Sequence, residues 1–143
     1  EHAALVRLLS PNDVATAPSR ARAAEAAKLE HKRSYLPKQD FFSTAELALY
    51  DGTDPEKPIV LAAGGRVFNV SAGRRLYGEG GGYHSLAGKD ATRMLAKGIL
   101  EESADDARTP LTHAEELTLR DWREHFAMKY DTLGSFTEAV EKK

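Results

Sequence analysis

Cysteine is absent from all 143 residues, which removes disulfides, thiolate nucleophiles, iron–sulfur clusters and Cys-type zinc sites together. Long apolar runs are also missing. No stretch approaches the roughly 18 residues that a membrane-spanning helix needs, and no apolar h-region marks a signal peptide. An excess of basic charge is lacking, since 20 Lys plus Arg stand against 22 Asp plus Glu for a formal charge of -2. The broad cationic face used for nucleic-acid binding is therefore not expected. Histidine is sparse: His2, His31, His84, His113 and His125 form no H-x-x-x-H pair and no facial triad. Nothing pairs Asp90, Asp121 or Glu124 with a nucleophile, so the residues give no support for an enzyme.

The composition is 41% hydrophobic and 29% charged, which reads as a soluble globular domain able to hold a core without a crosslink. Charge shifts near residue 40. Residues 1–40 carry seven basic and five acidic groups, and the remainder 13 and 17. Two parts are expected: an arm over 1–40 and a domain over 41–143. Within the arm, RARAAEAAKLEHKRS (Arg20 to Ser34) is rich in helix formers but offers little besides Ala and one Leu to bury, so it is expected to rest on the domain or on a protein partner. The chain begins with Glu1 and not Met, which leaves room for an anchoring or targeting segment upstream.

In the second part Ser43 and Glu46 form a capping-box pair, with Phe42 and Leu47 placed as a hydrophobic staple. Gly64-Gly65, flanked by apolar runs at Pro58–Ala63 and Arg66–Val70, predicts a tight hairpin. A short amphipathic helix is expected over Lys89–Leu100, with Met94 and Leu95 inward. A longer one begins with the Thr112/Glu115 capping box and buries Leu119, Trp122 and Phe126. Gly134 reads as a stop, with a last short helix over Ser135–Glu141. Asn69-Val70-Ser71 is a formal glycosylation sequon at a strand end.

Six of the eleven glycines fall between residues 73 and 88, four of them in Gly78-Glu79-Gly80-Gly81-Gly82. A phosphate cradle does not follow: no GK[ST] is present, and G-x-G-x-x-G breaks at Tyr83. The loop instead carries Tyr77 and Tyr83. A phenolate is a hard oxygen donor suited to ferric iron, and a neighbouring phenol that donates a hydrogen bond would stabilise it. The same two residues serve equally well as packing or hydrogen-bonding groups, and His84 either lines the same site or is a solvated loop residue.

The ordered segments FSTAELALYDG, VFNV, RRLYGEGGGYHSLAGKDATRMLA and LTLRDWREHFAMKYDTLG, over roughly residues 41–136, resemble the membrane-associated progesterone receptor family, a branch of the cytochrome b5-like haem/steroid-binding fold. The resemblance implies an α+β fold: a small mixed sheet with short helices around a ligand pocket, here with an N-terminal extended or helical arm. It implies haem b held by Tyr83 as the iron ligand, with Tyr77 supporting it by hydrogen bonding and Lys129 and Tyr130 facing the haem edge and propionates. It places Asp90 as a cap for the following helix. The His-Pro-Gly-Gly motif of true cytochrome b5 is lacking, so bis-histidine electron transfer is disfavoured. The family's YGPxGPY loop carries prolines where Glu79 and Gly82 stand, and Leu86 replaces a common aromatic, so a looser pocket is expected. The implied role is a haem carrier or regulator of a membrane haem enzyme, without catalysis of its own. The alternative is an accessory subunit of a larger membrane assembly that contacts its partner through residues 1–40. Membrane association at the endoplasmic reticulum or mitochondrion would come through a segment outside this sequence or through that partner.

Overall fold

A computed structural model describes residues 20–137. The chain divides into two units, Glu1–Lys32 and Arg33–Lys143. Helix α1 (Arg20–Ser34) begins in the first and buries none of its residues, as its Ala-rich, Leu-poor composition requires. The second unit is built from β1 (Phe41–Phe42), α2 (Thr44–Ala48), β2 (Val60–Ala63), β3 (Arg66–Asn69), α3 (Arg74–Tyr77), α4 (Thr92–Lys97), α5 (Ala104–Arg108), α6 (His113–Lys129) and β4 (Asp131–Phe136). The arrangement is α+β, a four-stranded mixed sheet surrounded by short helices.

The strand order is β1-β4-β3-β2. β2 and β3 pair antiparallel from Val60–Asn69 to Ala63–Arg66, and Gly64 and Gly65 turn between them at φ +59° and +83°, the left-handed conformations that a two-residue hairpin demands. β4 runs antiparallel to β3 and parallel to β1. The free edge of β2 is covered where Ala62 bonds Lys89 and Ala91 through their backbones, which removes an open pairing edge. The Ser43/Glu46 and Thr112/Glu115 capping boxes both form. Asp90 stands just ahead of α4, where its carboxylate accepts from the Thr92 N–H at 3.2 Å and the Thr92 hydroxyl at 2.5 Å.

The last helix, expected over Ser135–Glu141, does not begin at Ser135. Ser135 and Phe136 end a strand, paired with Arg66 of β3 and with Phe41 and Phe42 of β1. Long-range pairing overrides the local helix preference there, and residues 138–143 lie outside those described. Gly134 does not stop a helix either; α6 ends at Lys129, and Gly134 lets the backbone approach the Gln39 carbonyl, which a Cβ would meet at 2.0 Å. The sequon amide is engaged, since Asn69 donates to the Ser34 carbonyl and accepts from the Ser71 N–H and hydroxyl.

All four residues of β2 are buried, and its alternation splits the core into two faces. Val60 and Ala62 join Phe42, Leu47, Val67 and Leu133 on one face. Leu61 and Ala63 join Phe68, Tyr77, Leu86, Met94, Leu95, Phe126 and Tyr130 on the other. The second face holds the site.

Candidate functional site

A single turn of 3-10 helix (Ser71–Gly73) runs into α3 and delivers Tyr77 to the core at 3% exposure. The chain then folds back on itself. The Glu79 N–H reaches the Gly52 carbonyl at 3.3 Å, Gly81 bonds Gly78, and the Tyr83 N–H bonds the Leu76 carbonyl at 2.8 Å. Gly80 sits at φ +86°, and a Cβ on Gly81 would lie 2.3 Å from the Leu76 carbonyl oxygen. The glycine run is what allows so close a return.

That return brings the Tyr83 ring to 6.1 Å from the Tyr77 ring. Tyr130, delivered by the end of α6, meets Tyr77 edge-on at 6.5 Å, and the Lys129 ammonium lies 5.7 Å from the Tyr130 ring centre. The four residues singled out by the sequence therefore form one continuous series, Tyr83–Tyr77–Tyr130–Lys129. Gly73 makes room for it, because a Cβ there would stand 2.6 Å from the Tyr130 hydroxyl and 3.2 Å from the Tyr77 ring.

Tyr77 and Tyr83 border a cavity of about 280 Å³ whose other walls are Leu86, Met94, Leu95, Gly98, Ile99, Leu100 and Trp122. Tyr130 and Lys129 stand behind Tyr77 and are not among its walls. The only side-chain polar groups on the lining are the two phenols and the Trp122 indole N–H, a donor set with no carboxylate and no imidazole. Burial pushes the Tyr77 hydroxyl well above the ordinary phenol range, with Tyr130 and Tyr83 adding to the shift, and burial raises Tyr130 as well. Tyr77 is therefore a neutral hydrogen-bond donor at physiological pH, while Tyr83 keeps 40% of its surface exposed at the mouth. Among the described residues no group of three or more His, Asp or Glu gathers into a metal site.

His84 turns away from the cavity. Its Nδ1 lies 2.9 Å from the Tyr77 carbonyl oxygen, so the residue braces the tyrosine loop from behind. Sequence reasoning placed Trp122 as part of a buried stripe, but it is only partly buried, stacked on Phe126 at 5.7 Å and 26°, with its remaining surface on the cavity. Met94, Ile99 and Leu100 were also not recognised as lining. Helical periodicity shows which face of a helix turns inward, not whether that face meets a side chain or a void.

The family model described as Cytochrome b5-like Heme/Steroid binding domain matches residues 43–130. This chain belongs to that family, in the branch of the membrane-associated progesterone receptors. Relatives include an Arabidopsis thaliana protein named Probable steroid-binding protein 3, 45% identical over 94 residues that cover 65% of this chain and 94% of the relative. A Neuferricin homolog from Caenorhabditis elegans is 39% identical over 75% of this chain and 35% of its own length. Among solved structures, a hypothetical Arabidopsis thaliana protein with a cytochrome b5-like fold superposes with a TM-score of 0.60 at 39% identity, covering 72% of this chain and 95% of that one. The chain thus spans nearly all of the shorter relative and about a third of the longer one. Relatives from Arabidopsis thaliana and rice are named membrane steroid-binding proteins. Among the described residues of this chain, no helix is long and apolar enough to cross a membrane.

Proposed function

We propose that this domain binds ferric haem b in the cavity, with the Tyr83 phenolate as the iron ligand and Tyr77 as the hydrogen-bond donor that supports it. The observation that carries the reading is the pairing of two phenols, one buried and neutral, one exposed at the mouth, on a lining that is otherwise almost wholly apolar. The donor set fits the group: a hard oxygen anion suits ferric iron, and the aliphatic and indole walls suit a porphyrin face. Haem would supply the iron centre and its redox chemistry. The protein's share is to hold the Tyr83 oxygen in place, keep Tyr77 protonated by burying it, and exclude water with Leu86, Met94 and Leu95. Lys129 is exposed and stands beside Tyr130, outside the cavity lining, so a part for it in holding a haem carboxylate rests on the family resemblance alone.

Tyrosinate ligation favours the ferric state over rapid electron shuttling, so the proposed role is haem carriage or regulation of a membrane haem enzyme. The arm belongs to the same proposal. Helix α1 buries none of its residues and is assigned to contact with a partner protein as part of the arm, whereas residues 1–19 lie outside those described. The test is titration of the purified chain with ferric haem, followed by absorption. A saturable Soret band with a high-spin phenolate charge-transfer feature, lost in Tyr83→Phe, supports the reading. The absence of a saturable band in the native chain overturns it.

A further inference from the structure

The cavity of about 280 Å³ lies at the low end of the roughly 300–1,000 Å³ typical of ligand pockets, so how firmly each wall is held bears on the entry of a ring system as wide as a porphyrin. The walls differ in how they are held. The tyrosine loop is tied by backbone bonds to Gly52, Leu76 and Gly78 and by His84. Helices α4 and α6 contribute Met94, Leu95 and Phe126 to the core. The remaining wall is Ile99 and Leu100, and from Leu100 a strap runs to Leu111 and includes α5, none of whose residues is buried.

Among the described residues, the hydrogen bonds joining residues 101–110 to the rest of the chain all end on one group, the Arg93 guanidinium. Its Nε donates to the Glu102 carboxylate at 3.0 Å and to the Asp106 carbonyl at 3.1 Å, and its Nη2 donates to the Asp106 and Thr109 carbonyls. The other bonds of residues 101–110 are internal, within the Ser103/Asp106 capping box and α5; ahead of them the Ile99 N–H bonds the Met94 carbonyl at 3.0 Å and Ile99 packs against the core, so the stretch that hangs on Arg93 starts after Ile99. At its near end Gly98 caps α4 at φ +69°, its N–H bonded back to the Leu95 carbonyl, so the helix ends there and the chain leaves it toward the strap.

We propose that Arg93 is a positioning residue for the cavity, a latch that holds the strap 100–111 so that Leu100 completes the wall beside Ile99, and that releasing it admits the flat ligand. The latch follows from the contacts of Arg93 alone; the identity of the ligand rests on the haem reading above. A planar, multiply donating guanidinium suits this task, since it bonds a carboxylate and two carbonyls together where an ammonium would reach fewer.

The experiment is amide hydrogen exchange on the full chain without ligand, paired with stopped-flow association of ferric haem, for the native protein, Arg93→Gln and Arg93→Lys. Arg93→Gln is expected to raise exchange across 100–111 by about tenfold while β2 and β3 stay protected, and Arg93→Lys is expected to fall between. Haem association should quicken in the same order. Unchanged exchange in the strap, or an equal rise in β2 and β3, overturns the latch. Faster exchange with an unchanged association rate overturns its part in admission. A native chain that takes up no haem defeats the ligand reading, and the exchange results still decide the latch.

Discussion

On one face of the sheet Phe42, Leu47, Val60, Ala62, Val67 and Leu133 pack as a wholly apolar cluster, whereas on the other the cluster includes two tyrosines and borders a cavity. Both rest on the same four-residue strand, whose successive side chains alternate between them. The first face is built for stability. The second gives up part of its close packing, places one buried and one exposed phenol beside the void, and depends on glycines at 73, 80 and 81 for its shape. One sheet thus supplies rigidity on one side and the proposed ligand site on the other, and substitutions on the two faces should separate stability from binding.

The largest effect is expected from the closed face. Phe42→Ala removes a ring that is 2% exposed and should cost about 3–5 kcal/mol, read by denaturant unfolding, with haem affinity per folded molecule unchanged. A fall in affinity as large as the fall in stability would erase the division between the faces. Next is Gly73→Ala on the site face. Its Cβ would stand 2.6 Å from the Tyr130 hydroxyl, so about 1–3 kcal/mol of overpacking is expected, together with weaker haem binding as the tyrosines shift. Here binding should suffer more than stability.

A smaller gain should follow from restoring a family proline. Gly82 has open space around its missing Cβ, and its φ is not positive, so Gly82→Pro should stabilise by about 0.4–1 kcal/mol through the unfolded chain and tighten haem binding by stiffening the loop. Glu79→Pro should not, because the Glu79 N–H bonds the Gly52 carbonyl. Thermal melts and titrations of the two variants check the contrast.

The smallest effect concerns acid. Hydrogen bonds from Gln39 and Ser43 hold the Glu46 carboxyl below its ordinary value of 4.5. A depressed carboxylate contributes stability above the unfolded value and loses it as pH falls through the folded one. Melting temperature should therefore decline as the pH drops below 4.5, and Glu46→Gln should flatten the part of that decline due to this group. An unaltered slope would show that the capping box at α2 adds nothing to acid sensitivity.

Local chemistry made much of the molecule legible. Gly64-Gly65 between apolar runs marked the hairpin, paired Ser/Glu and Thr/Glu residues marked two helix starts, and the glycine loop carrying Tyr77 and Tyr83 marked residues that the fold brings to one cavity. β4 was not legible, because DTLGSF is polar and contains glycine, and only its pairing with β3 and β1 makes it a strand. The same holds for Trp122, whose cavity surface depends on what faces it, and for Arg93, whose partners Glu102, Asp106 and Thr109 lie 9 to 16 residues away. Features fixed by neighbours in sequence can be read from it, whereas features fixed by distant chain segments need the fold.

The central claim, that Tyr83 ligates haem iron in this cavity, is tested most directly by resonance Raman spectroscopy of the haem-loaded chain beside Tyr83→Phe and Tyr130→Phe. The account predicts iron–phenolate modes in the native protein and in Tyr130→Phe, and their loss in Tyr83→Phe. Phenolate modes that persist in Tyr83→Phe, or an imidazole-ligated spectrum in the native protein, would contradict it.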